Sequence, residues 1–165
     1  MKKLFLLIGI GLVLAGIYIQ SAIVFSANGV NHFLDELEYL SLHGRNAEYC
    51  ARLHDDLQAS ISDHSAQPPA DFTGGKREFC DYVSYATRGL DLLGISTQAQ
   101  RHDFSVRRSW LHPWTAEVSY SESRTTQMTK LNATLRTEGE DRWTLVQTFD
   151  GIKALRLTSK TRLAK

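Results

Sequence analysis

The chain has none of the common catalytic or cofactor signatures. Its six histidines are scattered and form no H-E-x-x-H, and Gly74-Gly75-Lys76-Arg77 lacks the G-x-x-x-x-G-K-[ST] spacing of a phosphate loop. Cysteine is scarce: Cys50 and Cys80 are the only two, and they form no C-x-x-C pair, which leaves thiol redox catalysis and structural zinc without support. His32, His43 and His54 recur every eleven residues. On one helix they would be about 16 Å apart, far too long for a single metal whose nitrogen ligands lie about 2 Å away. No cofactor and no metal is therefore assigned. Nor is there a charge excess: 19 basic and 18 acidic residues give no reason to expect nucleic acid.

Charge is also missing from Leu4 to Ala27, an uncharged and mostly apolar run that follows Lys2 and Lys3. As a helix it would extend roughly 36 Å, more than the roughly 30 Å hydrocarbon core of a bilayer. Residues 1–27 are expected to form an N-terminal transmembrane anchor. The alternative, a secretory signal peptide cleaved near Asn28, fits poorly because Gln20 or Phe25 would occupy the position that wants a small residue. With Lys2 and Lys3 before the span and no basic residue after it until Arg45, the N-terminus is expected in the cytoplasm. The rest would then face the periplasm or the cell exterior, with a bacterial inner membrane favoured. Gly11 and Ala15 form a small-xxx-small pair through which two copies can pack.

Residues 28–165 suit one extracytoplasmic domain. Its charge is unevenly distributed: Asn28 to Gln100 carries 5 basic and 11 acidic residues, Arg101 to Lys165 carries 12 and 7. Either the two halves attract each other, or the molecule has a basic partner-binding face or associates head to tail. Lys153, Arg156, Lys160, Arg162 and Lys165 read as a solvated strand edge and frayed end, or as a contact for acidic lipid or protein. In an oxidising compartment a Cys50–Cys80 disulfide is expected; buried free thiols are the alternative.

Helical spacing marks three segments: Phe33, Leu34, Leu37 and Leu40 up to Gly44; Cys50, Leu53, Leu57 and Ile61 after an Asn46 cap; and Phe79, Cys80, Val83, Thr87, Leu90 and Leu93 up to Gly94. Ser62 to Gly75 reads as a loop. Beyond Gly94 the period shortens to 2. Strands are expected around Phe104–Trp110, Ala116–Tyr120, Gln127–Thr137, Trp143–Phe149 and Ile152–Thr158, with reversals at His112-Pro113, Glu138–Asp141 and Asp150-Gly151. The fold class is α+β: an N-terminal transmembrane helix, then two or three helices packed on a curved antiparallel sheet of four or five strands.

This order of elements resembles the NTF2-like, cystatin-type cone fold, including the periplasm-facing inner-membrane subunits of type IV secretion and conjugation machines. It departs from the usual pattern in having no strand pair between the second and third helices, so no functional residue is carried over. Trp110, Tyr120 and Trp143 on the strands, with Tyr82 or Tyr85 on the covering helix, would line a pocket if they face inward, or else fill the core. His102, His112 and Asp81 are the candidates for a polar group at its floor. The expected role is a membrane-anchored interaction or assembly component of an envelope complex, with a protein partner there and homo-oligomerisation as a further expectation. The alternative is a small-ligand-binding or hydrolytic NTF2-like domain.

Overall fold

Ser26 caps a helix whose apolar residues recur on one side. Its hydroxyl accepts the Gly29 amide at 3.1 Å. Val30, Phe33, Leu34, Leu37 and Leu40 are the buried stripe of that helix, which spans Ala27–Leu42. The chain leaves it through Gly44, held at φ +67°, a left-handed turn that suits a residue without a Cβ. In this computed structural model, which describes residues 2–65, 68–109 and 111–164, that helix is α2. It is preceded by α1 (Lys2–Val24) and followed by α3 (Asn46–Ala51), β1 (Leu53–Asp63), β2 (Ala70–Gly74) and α4 (Lys76–Leu93). The second half consists of β3 (Ile95–Arg108), β4 (Thr115–Met128), a 3-10 turn (Thr129–Leu131), β5 (Ala133–Thr148) and β6 (Gly151–Leu163).

All six strands join one sheet in the order β2-β1-β6-β5-β4-β3. β3 to β6 form an antiparallel meander, β1 runs parallel to β6, and β2 pairs antiparallel with β1 at the edge. The architecture is thus α+β with helices on a curved sheet, but with six strands in place of four or five, and one parallel pair. β6, expected at an edge, lies inside the sheet. Val106, Val118, Trp143, Leu157 and Ala59 follow one another across five strands on the concave face. With Leu145, Leu53 and the buried sides of α2 and α4 they make the core.

Four segments differ from the sequence expectation. The helix expected from Asn46 through Ile61 ends at Ala51, and Leu53–Asp63 is a strand. Leu53, Leu57 and Ile61 are four residues apart, which is about one helical turn and also two strand repeats; Ala59, buried between them, marks the shorter period. Part of the expected loop becomes β2, so a strand pair does lie between the helices. The strand expected at Gln127–Thr137 is broken by a reversal over Thr129–Asn132, with Asn132 at φ +47° and Met128 paired to Ala133, so that its two ends belong to β4 and β5. The reversal expected at Glu138–Asp141 lies within β5, where a Cβ on Gly139 would sit 3.2 Å from the Lys160 carbonyl oxygen. Phe149, expected at the end of a strand, is fully exposed in the β5–β6 turn.

Cys50 and Cys80 form a disulfide joining α3 to α4, with Cα atoms 5.9 Å apart. The two charge-imbalanced halves meet in ion pairs, where Arg101 of β3 reaches Asp35 and Glu38 of α2.

α1 meets the domain at its C-terminal end: the Ser21 hydroxyl donates to the Pro113 carbonyl, and the Arg108 guanidinium stands 5.7 Å from the Tyr18 ring centre. Among the described residues no single helix is long and apolar enough to cross a membrane. Ile10–Val24 and Ala27–Leu42 satisfy that condition only as a pair, bent by 55°. The Ser26 cap separates them, and α2 carries Asp35, Glu36 and Glu38 beside the stripe it buries in the domain. The expected single-pass span is corrected to that extent.

Candidate functional site

The strand pairing that builds the core also carries polar side chains into it. On β5, Asp141 shares the face of Trp143 and Leu145, and its partner across β4 is Tyr120. On β4, Glu122 and Arg124 follow Tyr120 at the strand period, and Arg101 stands opposite Glu122 on β3. α2 and α3 cover these residues with Leu34, Leu37, Glu38 and Tyr49. Between them lies a cavity of about 140 Å³. Its volume corresponds to about four or five waters.

The cavity has an apolar wall and a titratable one. Tyr49 and Tyr120 are each 6% exposed and Trp143 is 8% exposed. The Trp143 indole N–H donates to the Tyr120 hydroxyl at 3.2 Å. Phe104 stacks on the outer side of the Tyr120 ring at 6.1 Å, next to a bulge in β3 where Asp103 takes φ +53° and two β3 residues face one on β4. Burial raises the Tyr120 pKa well above that of an ordinary phenol, and the neighbouring Asp141 carboxylate raises it further. Burial does the same for Tyr49, again with Asp141 adding to the effect. Both phenols are therefore neutral donors at any physiological pH, turned toward one carboxylate.

The mouth of the cavity is a network of charges. Arg101 donates to Glu38 at 2.9 Å and to Asp35, and lies 5.6 Å from the Tyr120 ring centre. Burial works against its charge, but the Asp35 hydrogen bond and the nearby Tyr120, Glu38 and Asp35 outweigh it. Arg124 holds Glu122 at 2.7 Å and approaches Glu38 at 3.8 Å. Burial lifts the Glu122 pKa above its usual value; Arg124 opposes this, while Asp141 and Glu38 reinforce it. The cavity thus holds neutral phenols, a carboxylate beside them and a second carboxyl whose pKa is raised. These are the parts of general acid–base chemistry. Among the described residues no group of three or more His, Cys, Asp or Glu side chains could hold a metal ion.

Of the aromatic residues proposed as pocket lining, Tyr120 and Trp143 line this cavity. Tyr82 is elsewhere, half-buried against Phe72 at 4.9 Å and Phe79 at 6.3 Å. Tyr85 is 82% exposed, because Phe79, Val83 and Thr87 take the inner side of α4 at four-residue steps. Trp110 lies outside the described residues. His102, His112 and Asp81, proposed for the floor, are all exposed; His102 pairs with Ser123 at 3.1 Å on the other face of the sheet. Sequence reasoning missed Asp141, Glu122 and Tyr49. The parity of Asp141 with Trp143 and Leu145 is a signal for the first, hidden by reading Glu138–Asp141 as a turn.

No family model and no curated protein matches the sequence. Solved structures do match the fold. A protein classed as a scytalone dehydratase from Novosphingobium aromaticivorans aligns with 88% of this chain and 89% of its own at 13% identity, TM-score 0.66. The beta subunit of the benzoate 1,2-dioxygenase from Burkholderia mallei aligns with 83% and 91% at 11% identity, TM-score 0.65. An NTF2-like protein with a cystatin-like fold from Novosphingobium aromaticivorans aligns with 82% and 89% at 14% identity, TM-score 0.55. The fold of this chain is NTF2-like, and the β1–β2 pair supplies the strands that had seemed to be missing. The same matches overturn the expectation of an envelope assembly component, since they set the chain beside a protein classed as a dehydratase and a dioxygenase subunit.

Proposed function

We propose that the chain is a small-ligand domain of NTF2-like fold whose cavity performs acid–base chemistry on a carbonyl or hydroxyl compound. The observation that carries this reading is the Asp141 carboxylate set against two buried, neutral phenols, Tyr49 and Tyr120. Asp141 is the base, Tyr120 and Tyr49 donate hydrogen bonds to the ligand oxygen, and Trp143 and Leu37 pack its apolar part. Residues at this depth exchange a proton with a ligand more readily than with bulk water, because few waters compete inside the cavity. The neighbours named for dehydratase chemistry support a reaction of this type without supplying its substrate.

The test is a panel of small ketones and β-hydroxy ketones, followed by quenching of tryptophan emission and by deuterium uptake from solvent next to the carbonyl. Expected is uptake that Asp141→Asn abolishes and Tyr120→Phe lowers by one to two orders of magnitude. Binding and exchange that are indifferent to both substitutions would refute the reading.

A second observation bears on where the domain works. Ile10, Leu12, Val13, Ile19 and Ile23 of α1 are 49–70% exposed and form an uncovered apolar surface on a helix that begins with Lys2 and Lys3. We propose that α1 holds the domain at a membrane, with its N-terminus cytoplasmic and the domain outside, where the Cys50–Cys80 bond can persist. Retention of the full chain in the membrane pellet after an alkaline carbonate wash is the expected result; quantitative release into the supernatant would exclude insertion.

A further inference from the structure

The cavity uses only the concave face of the sheet. On the convex face, near the β3–β4 turn, strand pairing sets Arg107, Glu117, Thr144 and Arg156 in one cross-strand row. Ser105, Ser119, Arg142 and Thr158 form the next. All but Ser105 border a groove of about 430 Å³. That is within the size range of small-molecule sites.

Among the described residues Arg88, Arg108 and Arg136 reach no carboxylate, while Arg45, Arg52, Arg77, Arg101, Arg124 and Arg162 each do. Arg107, Arg142 and Arg156 do not, and none of the three forms a hydrogen bond or ion pair with a described residue. Even Glu117, the cross-strand neighbour of Arg107, makes no ion pair. Like charges this close on one sheet face repel. An apolar or uncharged occupant would leave that repulsion in place. A second copy docked face to face by a two-fold axis would double it, because such an interface sets the same patch against itself.

We infer that the convex groove binds a small molecule through a phosphoryl group, held by Arg142 and Arg156 with Arg107 as the third cation. A phosphoryl dianion offers more acceptor oxygens than a carboxylate, and the groove has more donors than a carboxylate could use: three guanidiniums and the hydroxyls of Ser119, Thr144 and Thr158. Glu117 weakens the field at the Arg107 end, so the grip centres on β5 and β6.

The experiment is calorimetric titration of the full chain, in nonionic detergent and low salt, with inorganic pyrophosphate as the probe and with phosphatidylglycerol vesicles as a second arm. Expected is saturable pyrophosphate binding that the Arg142→Gln/Arg156→Gln double variant weakens at least tenfold. Glu117→Gln should strengthen it several-fold, and Asp141→Asn should leave it unchanged, which separates this groove from the cavity. All substituted arginines are exposed, and the melting temperature of the double variant checks that its fold persists. Pyrophosphate affinity unaffected by the double substitution would overturn the inference. So would arginine-dependent binding of the vesicles with none of pyrophosphate, which would assign the groove to a membrane surface.

Discussion

The concave and convex faces of the sheet are made by the same four meander strands, from residues that are immediate neighbours in sequence, and they solve opposite problems. On the concave face the rows are apolar until Asp141, Glu122 and Arg101, which are partly buried; Arg101 pairs with two acids, Glu122 with Arg124, and Asp141 faces two phenols. On the convex face the rows are polar throughout, and solvent lets three guanidiniums remain unmatched. Burial decides the difference. A charge taken from water must find a partner or lose its proton, whereas an exposed one can wait for a ligand. The concave face is accordingly built for stability and proton chemistry, and the convex face for recognition.

The sharpest way to break this comparison is to substitute adjacent residues of β5. Trp143→Ala should cost about 3–5 kcal/mol in denaturant unfolding, since it removes a ring packed at the centre of the core and the donor to Tyr120. Arg142→Ala, one residue away and facing out, should stay within about 0.5 kcal/mol. Comparable losses at the two positions would mean that the faces are not divided in this way.

The covering helices allow a smaller test. Reducing the Cys50–Cys80 bond releases α3 from α4 and with them the Tyr49 side of the cavity. The expected loss is about 2–4 kcal/mol for a closed loop of this length, read as a lower denaturation midpoint of the Cys50→Ser/Cys80→Ser variant. Ligand affinity in the cavity should fall with it, while pyrophosphate binding in the convex groove should not.

A pH series sharpens the comparison further. The raised Glu122 pKa means that the folded state holds this proton more tightly than the unfolded chain does. Its contribution to stability is complete below the unfolded value of about 4.5 and is lost as pH rises through the raised folded value. Glu122→Gln should flatten that part of the stability profile, and an unchanged profile would show that the carboxyl is not buried as described. At the alkaline end, Tyr49 and Tyr120 should stay silent at 295 nm after the exposed phenols have ionised. A modest effect belongs to the Ser26 cap, where Ser26→Ala should cost about 0.5–2 kcal/mol by thermal unfolding.

Much of this molecule follows from local rules that act on the chain wherever it lies. α2 and α4 and their stops at Gly44 and Gly94 can be read from helical spacing and from glycines that accept positive φ. The meander can be read from the change of period, the Cys50–Cys80 bond from scarcity and compartment, and the cone fold from the order of elements. Tertiary structure decided the rest. A four-residue apolar step is compatible with helix and strand alike, so only the edge of β6, which β1 joins, made Leu53–Asp63 a strand. Glu138-Gly139-Glu140-Asp141 has the composition of a turn, yet pairing on both sides keeps it extended and carries Asp141 into the cavity. The meeting of Asp141 with Tyr120 and Tyr49, and of Arg107 with Arg142 and Arg156, depends on register between strands far apart in the chain. Register is a property of pairs, set by what each strand buries against its neighbours, and no single stretch of sequence contains it.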